Sequence, residues 1–216
     1  MFRYTTLLTA LLLTGARAQQ PAQHPDHMEH RFDNPAELAK QFDDPARDAW
    51  QMPDRVIAAL ALKPGAKVAD IGSGTGYFSV RLARSAAHPT VYGSDIEDAM
   101  VSYLKERAEK EHLPNIISVK ASADSPNLTE PVDLVLIVDT WHHVGSRTEY
   151  VKHLATSLRP GGRIAIVDFR ADSPEGPPKE FRLSPGQVDA EMKKGGYHLV
   201  ASYDFLPRQF FVIFAR

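Results

Sequence analysis

The sequence contains no cysteine. Disulfides, thiolate metal sites and a cysteine nucleophile are therefore excluded, and the redox compartment is left open. Excess positive charge is also missing. Lys and Arg number 25 against 27 Asp and Glu, for a net charge of −2, so the chain has no basic footprint for a nucleic-acid partner. No apolar run reaches the roughly 18 residues that a permanent membrane span requires. At 216 residues the chain is long enough for one α/β domain with a full core and too short for two comfortable ones.

One short apolar run does stand out, and it lies at the start. "MFRYTTLLTALLLTGARAQQ" has Arg3 near its beginning, an apolar stretch from Leu7 to Leu13, and then Ala16-Arg17-Ala18. A basic start, a short apolar centre and a small-x-small end are the three parts of a secretory signal peptide. The expectation is a signal peptide over 1–18, cleavage after Ala18, and an exported, periplasmic or secreted product with no integral membrane segment after cleavage. Residues 19–33 are polar and broken by proline, which reads as a disordered leader. His24, His27 and His30 recur there at every third position, but a tract without a fold to fix its geometry reads as a solvated tail rather than a metal site.

Residues 34–216 read as one domain opening with a helical cap over 34–62. Asn34-Pro35 and Asp44-Pro45 each put a capping side chain before a proline suited to a first helical turn. The second of these helices is expected to run from Pro45 to Leu60, with a break or kink near Pro53. Beyond Pro64-Gly65 the chain alternates. Strands are expected at 68–71, 90–94, 116–120 and 133–138 and within "LRPGGRIAIVDF", with helices at 77–87, 97–112 and 147–158 between them. Short apolar strands alternating with helices mean a parallel sheet covered on both faces. The end breaks the rhythm: a capped helix at 184–194 precedes strands at 199–205 and 209–214. The turn between those two strands is short enough to require an antiparallel pair.

The chemistry concentrates at "VADIGSGTGYF", residues 68–78. A phosphate-binding P-loop needs a Lys-Ser/Thr pair after its last glycine, and Tyr77-Phe78 stands there instead. A dinucleotide fingerprint would need a third glycine at 77. The spacing present is G-x-G-x-G, through Gly72, Gly74 and Gly76. Asp70 lies at the carboxyl end of the strand, where open α/β sheets bind ligands. A carboxylate there repels a pyrophosphate and suits a cationic amino group. Asp95 ends the next strand, where an acid accepts hydrogen bonds from ribose hydroxyls, and Asp124 follows the third strand, within reach of an adenine amino group.

Taken together, these segments resemble the class I S-adenosylmethionine-dependent methyltransferases, from about Val56 to the C-terminus. "VADIGSGTGYF" is similar to that family's first motif, "VYGSDI" to its ribose motif and "ASAD" to its adenine motif. "DLVLIVDTWHH" and "LRPGGRIAIVDF" resemble its fourth- and fifth-strand motifs. The resemblance implies a Rossmann-like three-layer α/β sandwich with a seven-stranded sheet of order 3-2-1-4-5-7-6, strand 7 antiparallel. It implies S-adenosyl-L-methionine as cofactor and a small-molecule substrate. It also implies that Asp70, Gly72, Ser73, Gly74 and Gly76 face the methionine portion, that Asp95 takes the ribose hydroxyls, that Ile96 packs on adenine, and that Ala123 and Asp124 bind its edge.

"DTWHHVG", residues 139–145, follows the fourth strand and so lies at the reacting end. Methyl transfer needs an aligned nucleophile and, where that nucleophile carries a proton, a base to remove it. Histidine is the side chain suited to proton transfer near neutral pH, so His142 and His143 are the candidate bases. Asp139 is the candidate to orient the cofactor's amino group or a histidine. No metal is expected, since adjacent side chains diverge and no carboxylate–histidine cluster completes a site. Trp141 and Tyr77 are candidate pocket walls, with core packing as the competing role. Residues 34–51 and the loop from Arg170 are expected to lie over the strand ends as a lid, with Arg170, Lys179 and Arg182 as candidate contacts for an acidic acceptor. Two other classes compete. One is a binding protein that keeps the cofactor but has lost catalysis, and the other is an NAD(P)-linked oxidoreductase.

The export reading has a direct check. In fractions of cells producing the tagged full-length chain, the processed protein should start at Gln19 and lie outside the cytosol. An unprocessed, purely cytosolic product contradicts it.

Overall fold

The computed structural model describes residues 34–216. The signal peptide (1–18), its cleavage after Ala18, the leader (19–33) and its three histidines lie outside the described residues.

The cap opens with helix α1 (Pro35–Phe42), whose first turn is capped by Asn34 Oδ1 accepting from the Glu37 amide at 3.3 Å. Asp44 caps a short 3₁₀ turn over Pro45–Arg47, accepting from the Ala46 amide at 2.8 Å. That turn leads into α2 (Asp48–Gln51), and α3 (Pro53–Ala59) follows after one residue. The break or kink expected near Pro53 is a full break, and the segment from Pro45 to Leu60 has three parts. The reason is local: Pro53 has no amide hydrogen, and its ring drives the preceding residue out of the right-handed helical region. Met52 accordingly sits at φ 43°, ψ 54° and breaks the segment completely.

The alternating region follows the expected plan. β1 (Lys67–Ile71), α4 (Tyr77–Arg84), β2 (Thr90–Asp95), α5 (Asp98–Lys110) and β3 (Ile116–Lys120) come first. β4 (Val132–Val138), α6 (Arg147–Thr156) and β5 (Leu158–Phe169) come next, and then α7 (Pro185–Lys194), β6 (His198–Tyr203) and β7 (Gln209–Ala215). α4, α5 and α6 end two or three residues earlier than expected, as at Ser85, which turns extended at ψ 160°. α7 carries the capping box expected from Ser184, with Ser184 and Gln187 bonded reciprocally.

The strands form one sheet of order β3-β2-β1-β4-β5-β7-β6. β1, β2, β3, β4 and β5 pair in parallel, and β7 runs antiparallel to both β5 and β6. Alternate residues of each central strand feed two separate cores. Val68, Leu134, Leu136, Ala165 and Val167 pack with α3, α4 and α5 on one face. Ala69, Val135, Ile137, Ile164 and Ile166 pack with α6 and α7 on the other. This two-residue alternation, with helices on both sides, makes a three-layer sandwich.

Strand order reverses between β1 and β4, and the crevice opens at the carboxyl ends of those two strands. Close helix–sheet packing fixes its floor. Leu104 of α5 seats against Gly93 of β2, where an added Cβ would lie 2.2 Å from Leu104 Cδ2, and against Gly76, where it would lie 2.5 Å from Cδ1. No helix among the described residues is long and apolar enough to cross a membrane.

Candidate active site

The glycine turn leaves β1 with Gly72 at φ 70° and ends with Gly76 at φ 92°, a left-handed geometry that a residue with a Cβ adopts only under strain. Gly72 is constrained twice, because Thr140, from the end of β4, packs where a Cβ would be, 2.3 Å from Thr140 Oγ1. The turn following β4 thus lies directly against the glycine turn. Ser73 Oγ and Thr75 Oγ1 are buried within the same turn without a hydrogen-bond partner. Such groups are costly to leave unpaired, so the turn holds polar capacity that a bound molecule can satisfy.

Asp95 ties this turn to β2. Its carboxylate accepts the Gly74 amide at 2.8 Å and the Glu97 amide at 2.9 Å, one on each oxygen, and each oxygen keeps a lone pair. Burial holds its pKa above the usual carboxylate range, opposed by those two amides. Ile96, next in the chain, is 50% exposed, an apolar surface at the lip of the crevice. Ala123 and Asp124 are exposed in the neighbouring loop, which Ser94 Oγ anchors to β2 by donating to the Pro126 carbonyl at 2.8 Å. Ser122 Oγ donates to Asp124 Oδ1 at 2.6 Å and lowers that carboxylate's pKa.

Asp70 does not present an open face. It is 3% exposed, and Ser79 Oγ in the first turn of α4 donates to its Oδ2 at 2.6 Å. Burial pushes its pKa up to about 6 against that hydrogen bond. It is a buried charge beneath the glycine turn.

At the reacting end, the carboxylate that holds His142 is Asp168, not Asp139. Asp168 lies at the end of β5 and is 1% exposed. Its oxygens lie 2.8 and 3.0 Å from His142 Nδ1, and Oδ2 accepts the His142 amide at 3.2 Å. An Nδ1–H donating to this carboxylate leaves Nε2 with a free lone pair, the arrangement of an imidazole set to take a proton. The sequence reading passed over Asp168, although it ends a strand in the same way as Asp70 and Asp95. His143 is exposed, and its ring lies 4.1 Å from that of His142. The two rings lie together instead of diverging as expected.

Asp139 sits at φ 52° and faces the cap. One oxygen accepts from Gln209 Nε2, and the other lies 3.4 Å from Arg47 Nη2. Gln51 Nε2 donates to Gln209 Oε1 at 2.7 Å, and Arg47 Nε donates to Gln51 Oε1 at 3.1 Å, closing a ring of side chains between cap and sheet. Burial pushes Asp139 up to about 7, with Arg47 pulling the other way and Asp168 adding to the rise. Arg47, Gln51 and Gln209 were not foreseen. The cap does lie over the strand ends: an added Cβ on Gly74 would be 3.7 Å from the Phe42 ring, and Trp50 packs on Phe169 at 5.7 Å.

Trp141 is core. It is fully buried, and its Nε1 donates to Glu191 Oε2 at 3.1 Å. Tyr77 is gripped between Arg47 and Arg81, whose guanidinium carbons lie 4.0 and 3.8 Å from its ring centroid. Arg170 and Arg182 are turned onto backbone carbonyls, of Leu206 and Pro207 and of Ala171, Ser173 and Pro177 respectively. They brace the loop that was expected to offer them to an acceptor.

Comparison with known proteins agrees with this geometry. Residues 68–162, which run from β1 through the glycine turn and both histidines into β5, match a family model described as "Methyltransferase domain". Over residues 68–162 the chain is thus similar to a methyltransferase domain. The chain is 33% identical over 122 residues to 27-O-demethylrifamycin SV methyltransferase of Amycolatopsis mediterranei, covering 55% of this chain and 44% of that one. It spans less than half the length of the first such relatives it matches. A SAM-dependent methyltransferase from Aquifex aeolicus superposes with TM-score 0.77 at 25% identity, over 84% of this chain and 97% of that one. The [4+2]-cyclase SpnF superposes with TM-score 0.63 at 20% identity, over 74% of this chain and 61% of that one, and shares the fold alone. The domain's cofactor is S-adenosyl-L-methionine, and the unpartnered Ser73 and Thr75 hydroxyls and the bare Ile96 side chain fit it.

The raised pKa of Asp139 makes a prediction for stability. Its ordinary value is 3.8 and its folded value is about 7, so the folded state holds the proton more tightly. The stability it contributes is full below its unfolded pKa and is lost as pH rises toward 7. Urea midpoints at pH 5 and pH 7.5 should therefore differ less in Asp139→Asn than in the unsubstituted chain. An equal difference in the two contradicts the assignment.

Proposed function

We propose that this chain is an S-adenosylmethionine-dependent methyltransferase acting on a small-molecule acceptor, with His142 as the proton acceptor and Asp168 as its positioning partner. The observation that carries the reading is the His142–Asp168 pair at the carboxyl ends of β4 and β5, beside the glycine turn. When bound, the cofactor supplies an electrophilic methyl group on a sulfonium, open to in-line displacement. Everything else falls to the protein's own residues.

The Gly72–Gly76 turn, with Ser73, lets backbone approach the methionine portion. The remaining lone pairs of Asp95 accept from ribose hydroxyls, Ile96 covers one adenine face, and Ala123 and Asp124 meet its edge. Asp139, with Asp70 beneath the turn, faces the ammonium. His142 Nε2 takes the acceptor's proton, and Asp168 keeps Nδ1 protonated and stabilises the imidazolium that forms. His143, exposed beside it, lines the acceptor side.

The small-molecule acceptor is supported by the relative named for its action on demethylrifamycin. A cofactor-binding chain without methyl transfer is the second reading, motivated by the export pattern at the N-terminus. Export rests on the Arg3, Leu7–Leu13 and Ala16–Ala18 pattern.

Calorimetric titration of the full chain with S-adenosylhomocysteine, S-adenosylmethionine and NAD tests the cofactor site. Both adenosyl compounds should bind, and Asp95→Ala should weaken them by about tenfold or more, as expected for loss of hydrogen bonds to a charged group. Binding of NAD alone overturns the reading. With a turned-over acceptor in hand, Asp168→Asn should lower kcat by about 10²- to 10⁴-fold at unchanged cofactor affinity. Unchanged kcat contradicts the role given to the pair.

A further inference from the structure

The cap brings one cation to the crevice, and its surroundings are unusual. Arg47 is 16% exposed at its side chain. Three contacts fix it independently of any charge partner: Nη1 donates to the Phe42 carbonyl at 2.9 Å, Nε donates to Gln51 Oε1 at 3.1 Å, and the guanidinium lies over the Tyr77 ring at 4.0 Å. Tyr77 directly follows Gly76, so the guanidinium rests on the residue that ends the glycine turn. Its one ionic contact, to Asp139 at 3.4 Å, is the longest ion pair among the described residues. Asp139 itself is held from the other side by Gln209. Both partners would therefore keep their places if the contact between them were exchanged for another.

The charges around it call for such an exchange. Arg47 acts electrostatically on both buried carboxylates, Asp70 and Asp139. The methionine end of the cofactor carries an ammonium and a sulfonium, which suit these carboxylates, and a carboxylate, which does not. An ammonium entering against Asp139 displaces the guanidinium from it and brings in a carboxylate that needs a cation. Arg47 is the cation already fixed at that place, and its fork of donors suits a carboxylate.

On that basis, which rests on the cofactor reading above, we propose that Arg47 binds the carboxylate of the cofactor's methionine moiety. Its contact with Asp139 is the pairing that the cofactor's ammonium replaces. The cap is thereby held over the crevice in both states, first by Asp139 and then by the cofactor.

The test compares three ligands on the full chain by calorimetry. They are S-adenosylhomocysteine, its decarboxylated analogue, which keeps the ammonium, and 5′-methylthioadenosine, which lacks both charges. Arg47→Gln should weaken S-adenosylhomocysteine by about 10- to 100-fold, the range of a charge-assisted hydrogen bond. It should leave 5′-methylthioadenosine unchanged and should not weaken the decarboxylated analogue, and Arg47→Lys should recover part of the loss. Retained binding of 5′-methylthioadenosine shows that the variant is folded. Equal loss for all three ligands gives Arg47 a structural role and overturns the proposal, as does undiminished binding of S-adenosylhomocysteine. If the unsubstituted chain binds none of the three, the cofactor reading itself falls.

Discussion

The structure turns on buried carboxylates at the ends of neighbouring strands. Asp70, Asp95, Asp139 and Asp168 close β1, β2, β4 and β5 or follow them by a single residue, and each is mostly shielded from water. Buried charge is tolerated only when it is paired or hydrogen-bonded, so each carboxylate recruits a partner. Asp70 takes Ser79, Asp95 takes two amides, Asp139 takes Gln209 and Arg47, and Asp168 takes His142. Those partnerships place α4, the glycine turn, the cap and the imidazole. The same requirement that keeps the fold electrostatically satisfied thereby assembles the site.

The arrangement divides the crevice by task. On the β2 side lie Asp95 and Ile96, one a hydrogen-bond acceptor and the other a bare apolar surface, suited to a sugar and a flat ring. On the β4 and β5 side lie the histidine pair and Asp168, to which the proposal assigns proton transfer. Asp139 and Arg47 stand between them at the point where strand order reverses, and they join the cap to the crevice. The cap is a broken segment rather than one helix, and the left-handed Met52 lets α2 bend down to bring Gln51 onto Gln209.

Much of this was legible in the sequence because it is local. Glycine spacing, a carboxylate at a strand's end and the alternation of apolar strands with helices are all read within a dozen residues, and they gave the parallel α/β layout and the glycine turn, while the sheet order was implied by the family resemblance. Arg47 and Asp139 lie 92 residues apart, and Gln51 and Gln209 lie 158 apart. No short-range pattern announces such pairs. Asp168 is a different case, since its strand-end position was readable in "AIVDF" and only its partner was not. Arg170 and Arg182 were misjudged for the opposite reason: a charged side chain in a loop does not reveal that backbone carbonyls will claim it.

The most direct test of this account is a crystal structure of the full chain with S-adenosylhomocysteine. The account predicts the ligand between the Gly72–Gly76 turn and Ile96, with Asp95 on its ribose hydroxyls and Arg47 moved from Asp139 to its carboxylate. A ligand bound elsewhere, or bound in the crevice with Arg47 still on Asp139 and the ligand's carboxylate turned to solvent, would contradict it.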